Sequence, residues 1–190
     1  MKRVLIAIAA VGLLAAGCGG AGSGAATTAP KAAATTAAPT AAPTPQTVYV
    51  FTADLKPGNE IPPVTDAEAS GSGTATVTLT TTKDSYGQIT AATAKFEIVL
   101  KGFPATTNIT LSHVHKGDAK TVGSPVVDSG LKAADPIALP TGGTSITKSD
   151  LKVTPEVALD LIANPANYYF NVHSQVHPSG TIRAQLAAKS

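Results

Sequence analysis

Cysteine is almost absent from this chain of 190 residues, which contains only Cys18. The folded part can therefore form no internal disulfide, and its stability must come from its core. Tryptophan is missing, and charged residues make up only 14% of the chain. Threonine, alanine, 17 glycines and 14 prolines are abundant instead. This composition favours β-strands joined by turns over helical bundles.

Net charge is also small. Removing Lys2 and Arg3, which belong to the N-terminal segment discussed next, leaves 12 basic residues against 12 acidic ones. A neutral chain lacks the basic surface that nucleic-acid binders and polybasic membrane binders use. We therefore expect no nucleic-acid partner.

The first 18 residues have the order of a targeting segment. Lys2 and Arg3 are followed by an apolar run, Val4 to Leu14, and by small residues before Cys18. The run is too short to span a bilayer, and its end resembles a bacterial lipobox, which implies that Cys18 carries lipid. A plain signal peptide is the alternative. We expect an exported protein, anchored by its N-terminal lipid to the cell or outer membrane and facing the periplasm or the exterior.

Residues 19–47 form a linker of alanine, threonine, proline and glycine, predicted to be a disordered, extended tether. Residues 48–190 form the folded domain. Alternating apolar residues predict strands in four segments, and Thr154 with Pro155 predicts the start of one short helix. The segments are Gly73–Thr81, Ile89–Leu100, Tyr168–Ser174 and Thr181–Leu186. Residues 136–147 indicate a loop or a short edge strand. This pattern predicts an all-β, antiparallel, Greek-key-like β-sandwich with one helical insertion.

All four histidines fall in two short segments. His113 and His115 end a strand-like stretch that begins at Ile109, and His173 and His177 lie near the C-terminus. Strand alternation places Ile109, His113 and His115 in one inward-facing row. A third imidazole from a neighbouring strand would complete a site that copper or zinc accepts.

Two interpretations of the histidines remain open. In one, His113, His115 and His173 bind a single copper or zinc ion, with His177 as a fourth ligand. In the other, they form a hydrogen-bonded cluster that only orders the sheet. Glu60 and Asp118 are candidates for groups that orient an imidazole, and Arg183 is a candidate for contacting an anion.

Four separated motifs resemble the CHRD domain, the repeated module of chordin. They are Asn59–Val64, Ser70–Ala75, His113–His115, and Tyr169–His173 leading to Pro178–Leu186. The resemblance covers residues from Val48 to about Ala187 and implies a β domain. Chordin antagonises a growth factor in animals, and the lipobox points to a bacterium, so that role is not transferred. The expected function is a binding module with an unidentified protein or surface partner.

A more distant similarity is to copper/zinc superoxide dismutase, whose copper strand carries a similar His-Val-His and a nearby Gly-Asp. That enzyme also needs a bridging histidine, further zinc histidines and a disulfide. This chain has no histidine between His115 and His173 and only one cysteine. A two-metal site cannot be assembled, so we predict no enzymatic activity and keep a dismutase-like redox protein and a purely structural surface domain as alternatives.

Overall fold

The structure, a computed structural model, describes residues 45–189. These residues form two antiparallel β-sheets and a single α-helix, which confirms the predicted all-β sandwich. The targeting segment, Cys18 and most of the linker lie outside the described residues. The first strand begins at Gln46.

The first sheet has the strand order β10-β1-β2-β3-β7. Its strands are β1 (Gln46–Leu55), β2 (Ser72–Lys83), β3 (Ile89–Lys101), β7 (Thr144–Val153) and β10 (Ala187–Ala188). Ala75, Val77 and Leu79 of β2 are buried, whereas the alternating threonines are more exposed. The period-two pattern thus gives the sheet one core face.

The second sheet has the order β5-β4-β8-β9, with β6 also paired to β4. Its strands are β4 (Asn108–Lys116), β5 (Pro125–Asp128), β6 (Ile137–Ala138), β8 (Tyr168–Ser174) and β9 (Ile182–Gln185). Phe96 of the first sheet and Phe170 of the second meet edge to face, with ring centroids 4.9 Å apart. The hydrophobic core therefore lies between the sheets.

The helix α1 (Pro155–Ala163) connects β7 to β8. The Thr154 hydroxyl accepts a hydrogen bond from the Val157 amide at 3.3 Å, as an N-cap does. Ala158 and Leu161 are its buried residues, whereas Leu159 is 62% exposed. Within residues 45–189, no helix has the length and hydrophobicity needed to cross a membrane.

The prediction that Ile109, His113 and His115 share one inward-facing row of β4 is wrong. The pairing of β4 with β8 shifts between Ile109 and Leu111, which is a β-bulge at Thr110. Because one extra residue reverses the alternation, Ile109 belongs to the core between the sheets, and His113 and His115 lie on the opposite face. The histidines therefore occupy the outer face of the second sheet.

The polar segment after residue 136 also holds more strand than expected. Residues 137–138 form the short β6, but β7 then runs from Thr144 to Val153 and pairs with β3 along the sheet edge. Only Ile146 and Val153 of β7 are buried. An edge strand can carry charged residues, which obscure its alternation in the sequence.

Candidate metal centre

Three of the four histidines converge on the outer face of the second sheet. His113 and His115 are two residues apart on β4, and His173 lies on β8, where it pairs with Leu111. One ring nitrogen from each residue can be chosen so that all three atoms lie within 4.8 Å of one another. Adjacent antiparallel strands thus gather three imidazoles without help from a flexible loop.

Backbone carbonyls fix the protons on two of these rings. His115 Nδ1 lies 2.9 Å from the Gly123 carbonyl oxygen, and His173 Nδ1 lies 2.9 Å from that of Pro178. A carbonyl can only accept, so in the neutral rings Nδ1 carries the proton and Nε2 keeps its lone pair. Both Nε2 atoms are therefore available as metal ligands.

His113 approaches the same point through its Nδ1 atom, which lies 3.2 Å from His173 Nε2. Its other nitrogen, Nε2, lies 3.9 Å from Oδ2 of Asp128 on β5. When a proton occupies Nδ1, His113 can donate it to His173. When Nε2 carries the proton instead, two lone pairs face each other across 3.2 Å, which is the arrangement that a cation would stabilise.

Among the residues that the structure describes, the second ring nitrogen of His115 has no hydrogen-bond partner. His115 Nε2 is buried and accepts no hydrogen bond from the described residues. An unsatisfied buried polar atom costs about 1–3 kcal/mol. A purely hydrogen-bonded cluster accounts for the contact between His113 and His173 but leaves this nitrogen without a partner, whereas a metal ion accounts for all three.

Burial keeps the three rings neutral. Their exposed fractions are only 6–8%. Desolvation lowers the pKa of His113 and of His115, and it lowers the pKa of His173 to about 4. The neighbouring imidazoles lower the pKa of His173 further, against the effect of the Pro178 carbonyl. Neutral imidazole is the form that binds metal, so at neutral pH the three rings need not lose a proton before an ion binds.

The spacing of two of the three imidazoles matches that of ligands on one ion. Copper and zinc both bind imidazole at roughly 2.0–2.1 Å, so two nitrogens on a tetrahedral ion lie about 3.3 Å apart. The observed 3.2 Å between His113 Nδ1 and His173 Nε2 is close to that value. Imidazole nitrogen is a ligand that suits both ions.

An aromatic stack supports His115 from the side. The Tyr169 ring is parallel to the His115 ring, with an interplanar angle of 10° and centroids 4.8 Å apart. The guanidinium carbon of Arg183 lies 3.8 Å from the centre of the same tyrosine ring. Because β8 lies between β4 and β9, the tyrosine lies between the imidazole and the guanidinium.

The loop between β4 and β5 is held in place by the same side chains. Arg183, only 2% exposed, donates to the backbone carbonyls of Asp118 and Thr121 at 2.9 and 3.1 Å. Tyr169 Oη accepts a hydrogen bond from the Gly123 amide at 3.1 Å. These contacts position the Gly123 carbonyl that binds His115, so Arg183 anchors a loop through carbonyl oxygens.

Two other residues singled out from the sequence lie away from the three imidazoles. His177 contacts the Asp66 carboxylate, with Nε2 and Oδ2 2.9 Å apart. The Asp118 side chain accepts from the Lys120 amide within its own exposed loop. The structure therefore does not bring His177 or the Asp118 carboxylate to the cluster.

Glu60 is buried and contacts an asparagine, not a histidine. Its two carboxylate oxygens lie 3.2 and 3.3 Å from Nδ2 of Asn171. Burial raises the pKa of Glu60 to about 7, although Arg183 and the Asn171 hydrogen bond act in the opposite direction. Gly180, at φ 135°, leaves room for this pair, because a Cβ atom there would lie 2.6 Å from Asn171 Nδ2.

Sequence reasoning gave no role to three residues that contact the second sheet or its histidines. Asp128 and Tyr169 are adjacent to ligand candidates only through strand pairing, which the sequence does not specify.

The third residue, Glu68, is 3% exposed and lies in a short 3₁₀ segment, for which the sequence pattern indicates a loop. Its carboxylate accepts from the hydroxyls of Thr107, Ser174 and Thr181 at 2.7–3.2 Å. That contact ties the segment before β2 to the second sheet.

One comparison with known proteins identifies the family of the chain. The family model for the CHRD domain matches residues 51–186, which is most of the described chain. Searches of curated proteins and of solved structures find no significant match. The matched range includes the strands that carry the three histidines, the Glu60 segment and the C-terminal hairpin. The chain therefore belongs to the CHRD domain family.

Proposed function

We propose that this CHRD-domain protein is an exported, lipid-anchored binding module that holds one copper or zinc ion through His113, His115 and His173. The observation that carries the metal proposal is that the buried Nε2 of His115 has no hydrogen-bond partner among residues 45–189. The neighbouring Nδ1 of His113 and Nε2 of His173, 3.2 Å apart, support it. The anchor is proposed from Cys18 and the segment before it.

Metal binding is tested on the untagged full chain, purified in detergent from the membrane fraction. Elemental analysis should find one copper or zinc ion per chain, and copper should bind more tightly than zinc in competition titrations. His113→Ala/His115→Ala should abolish stoichiometric binding. His177→Ala is the matched control, because that histidine lies outside the cluster, and it should change the affinity less than two-fold.

A double variant that binds copper and zinc as tightly as the wild-type protein would contradict the metal proposal. The anchor has a separate test. The wild-type protein should incorporate a labelled fatty acid, and Cys18→Ala should not, since no acyl chain can then attach. A wild-type protein without the label, or a Cys18→Ala variant that keeps it, contradicts lipid anchoring at Cys18 without affecting the metal proposal.

A further inference from the structure

Two of the family motifs meet at a cavity that the metal centre does not use. One wall comes from the segment Glu60–Asp66 and the other from the turn Val176–Gly180. The cavity has a volume of about 300 Å³, and none of the three clustered histidines lines it. A ligand here would be recognised independently of the metal.

Polar and apolar residues share the walls of the cavity, and the apolar part is formed by aliphatic side chains and prolines. Ile61 and Val176 are 40% and 61% exposed, so they present aliphatic surface to solvent at its edge. Pro62, Pro63 and Pro178 contribute rigid apolar surface. Such walls suit the hydrocarbon part of a ligand.

A carboxylate with few partners lies in this cavity. Glu60 is 7% exposed, and among the described residues Asn171 Nδ2 is its one hydrogen-bond donor. By contrast, the buried Glu68 receives three hydroxyl hydrogen bonds. An ionised carboxylate offers about four acceptor positions, so Glu60 retains free acceptor capacity that Glu68 has used.

Charge around Glu60 leaves a place for a cation. No lysine or arginine lines the cavity. Arg183, which faces Glu60 from β9, has its guanidinium committed to the Asp118 and Thr121 carbonyls, and within residues 45–189 it forms no ion pair closer than 4.0 Å. At the rim, Asp66 is paired with His177.

The geometry points to a site for a lysine side chain of a partner protein, with its ammonium at Glu60 and its four-carbon stem against the apolar part of the walls. The Asn171 hydrogen bond is shared by both carboxylate oxygens, so it occupies the edge on which an arginine fork would bind. A compact ammonium can use the remaining positions. This inference goes beyond the proposed metal site.

The test uses the full chain with labelled methyl groups and three blocked tripeptides, acetyl-Gly-X-Gly-amide, in which X is lysine, arginine or norleucine. Norleucine keeps the four-carbon stem without the ammonium. The lysine peptide should shift the methyl resonances of Ile61 and Val176 saturably at pH 7.5. The norleucine and arginine peptides should bind at least ten-fold more weakly.

Glu60→Gln keeps the acceptor for Asn171 but removes the charge, and it should weaken lysine-peptide binding at least ten-fold. Glu97→Gln, on the other sheet, is the charge-matched control and should bind as the wild type does. The proposal is overturned if norleucine binds equally well, or if Glu60→Gln binds within two-fold of the wild type. Butylamine, a free amine with a four-carbon chain, is titrated in the same way. If butylamine binds and the lysine peptide does not, the site takes free amines and the proposal is overturned.

Discussion

Asp128 is the side chain that we expect to control how His113 binds an ion. To offer Nδ1 to a metal, His113 must keep its proton on Nε2, and Oδ2 of Asp128 lies 3.9 Å from that nitrogen. Asp128 Oδ1 accepts a hydrogen bond from the Gly130 amide at 2.7 Å, and a small movement of this 66% exposed side chain would bring Oδ2 closer to His113. Each of the three rings would then have an acceptor for its N–H group, since the Gly123 and Pro178 carbonyls already serve His115 and His173.

Asp128→Asn should therefore weaken copper and zinc binding by about ten-fold, the lower end of the effect expected for a group behind a ligand. The control is Asp135→Asn, another exposed acid, which should leave the affinity unchanged. Competition titration of both variants measures the difference. Equal affinities for Asp128→Asn and the wild type would show that Asp128 does not orient His113, while the three-histidine site would stand.

Among the elements, the loop between β4 and β5 has the strictest backbone requirement. A Cβ atom on Gly123 would lie 1.6 Å from the Lys116 carbonyl oxygen, which no side chain can accommodate. The Gly123 carbonyl also holds His115, so a shift of this loop misplaces a ligand. At Gly58, by contrast, a Cβ atom would contact nothing within 4 Å.

Gly123→Ala should consequently reduce metal affinity by at least ten-fold and lower the free energy of unfolding, because the loop must move and its hydrogen bonds to His115 and Tyr169 are lost. Gly58→Ala should change neither quantity appreciably. Denaturant titration and zinc competition on both variants check this. If Gly123→Ala retains wild-type affinity, the loop does not position His115.

The elements also show what the sequence can predict. Clean alternation in β2 and β3 identifies both strands and their buried faces, because one face of that sheet is core and the other is solvent. The same reasoning does not identify strand β7. Its residues Lys148, Asp150 and Lys152 are compatible with an exposed edge strand, and they obscure the alternation. The bulge at Thr110 arises from pairing with β8, so no local pattern announces it.

The sequence predicts the three ligand candidates of the site, but not the face that they occupy or the groups around them. A His-x-His pair and a second histidine-bearing strand indicate three ligands, since β alternation places a pair on one face. Which face they occupy depends on the bulge, and the distance of His177 depends on the fold of the turn that it shares with Pro178. Partners such as Asp128 come from strand register, which a single sequence does not encode locally.

At the scale of the whole molecule, two buried groups give opposite pH dependences to the stability of the metal-free protein. The pKa of Glu60 is raised from 4.5 to about 7, so its stabilising contribution is present below pH 4.5 and is lost as the pH rises through 7. The pKa of His173 is lowered from 6.5 to about 4, so its contribution is present above pH 6.5 and is lost as the pH falls towards 4.

Each effect can be isolated by comparing a variant with the wild type. The quantity of interest is the free energy of unfolding of a variant minus that of the wild type. As the pH rises from 4.5 to 8, this difference should increase by up to about 3 kcal/mol for Glu60→Gln and should decrease by a similar amount for His173→Gln. Denaturant unfolding across this range, in the presence of a chelator, measures both differences. Differences that change in the same direction with pH, or that do not change with pH, would contradict the assigned burial of the two groups.

The central claim is that three imidazoles bind one ion, and X-ray absorption spectroscopy of the protein loaded with one equivalent of copper or zinc tests it most directly. We predict a first shell containing three imidazole nitrogens at about 2.0–2.1 Å, reduced in His113→Ala/His115→Ala and unchanged in His177→Ala. A shell of oxygen atoms alone, or one in which the double variant retains all its imidazole nitrogens, would contradict the account.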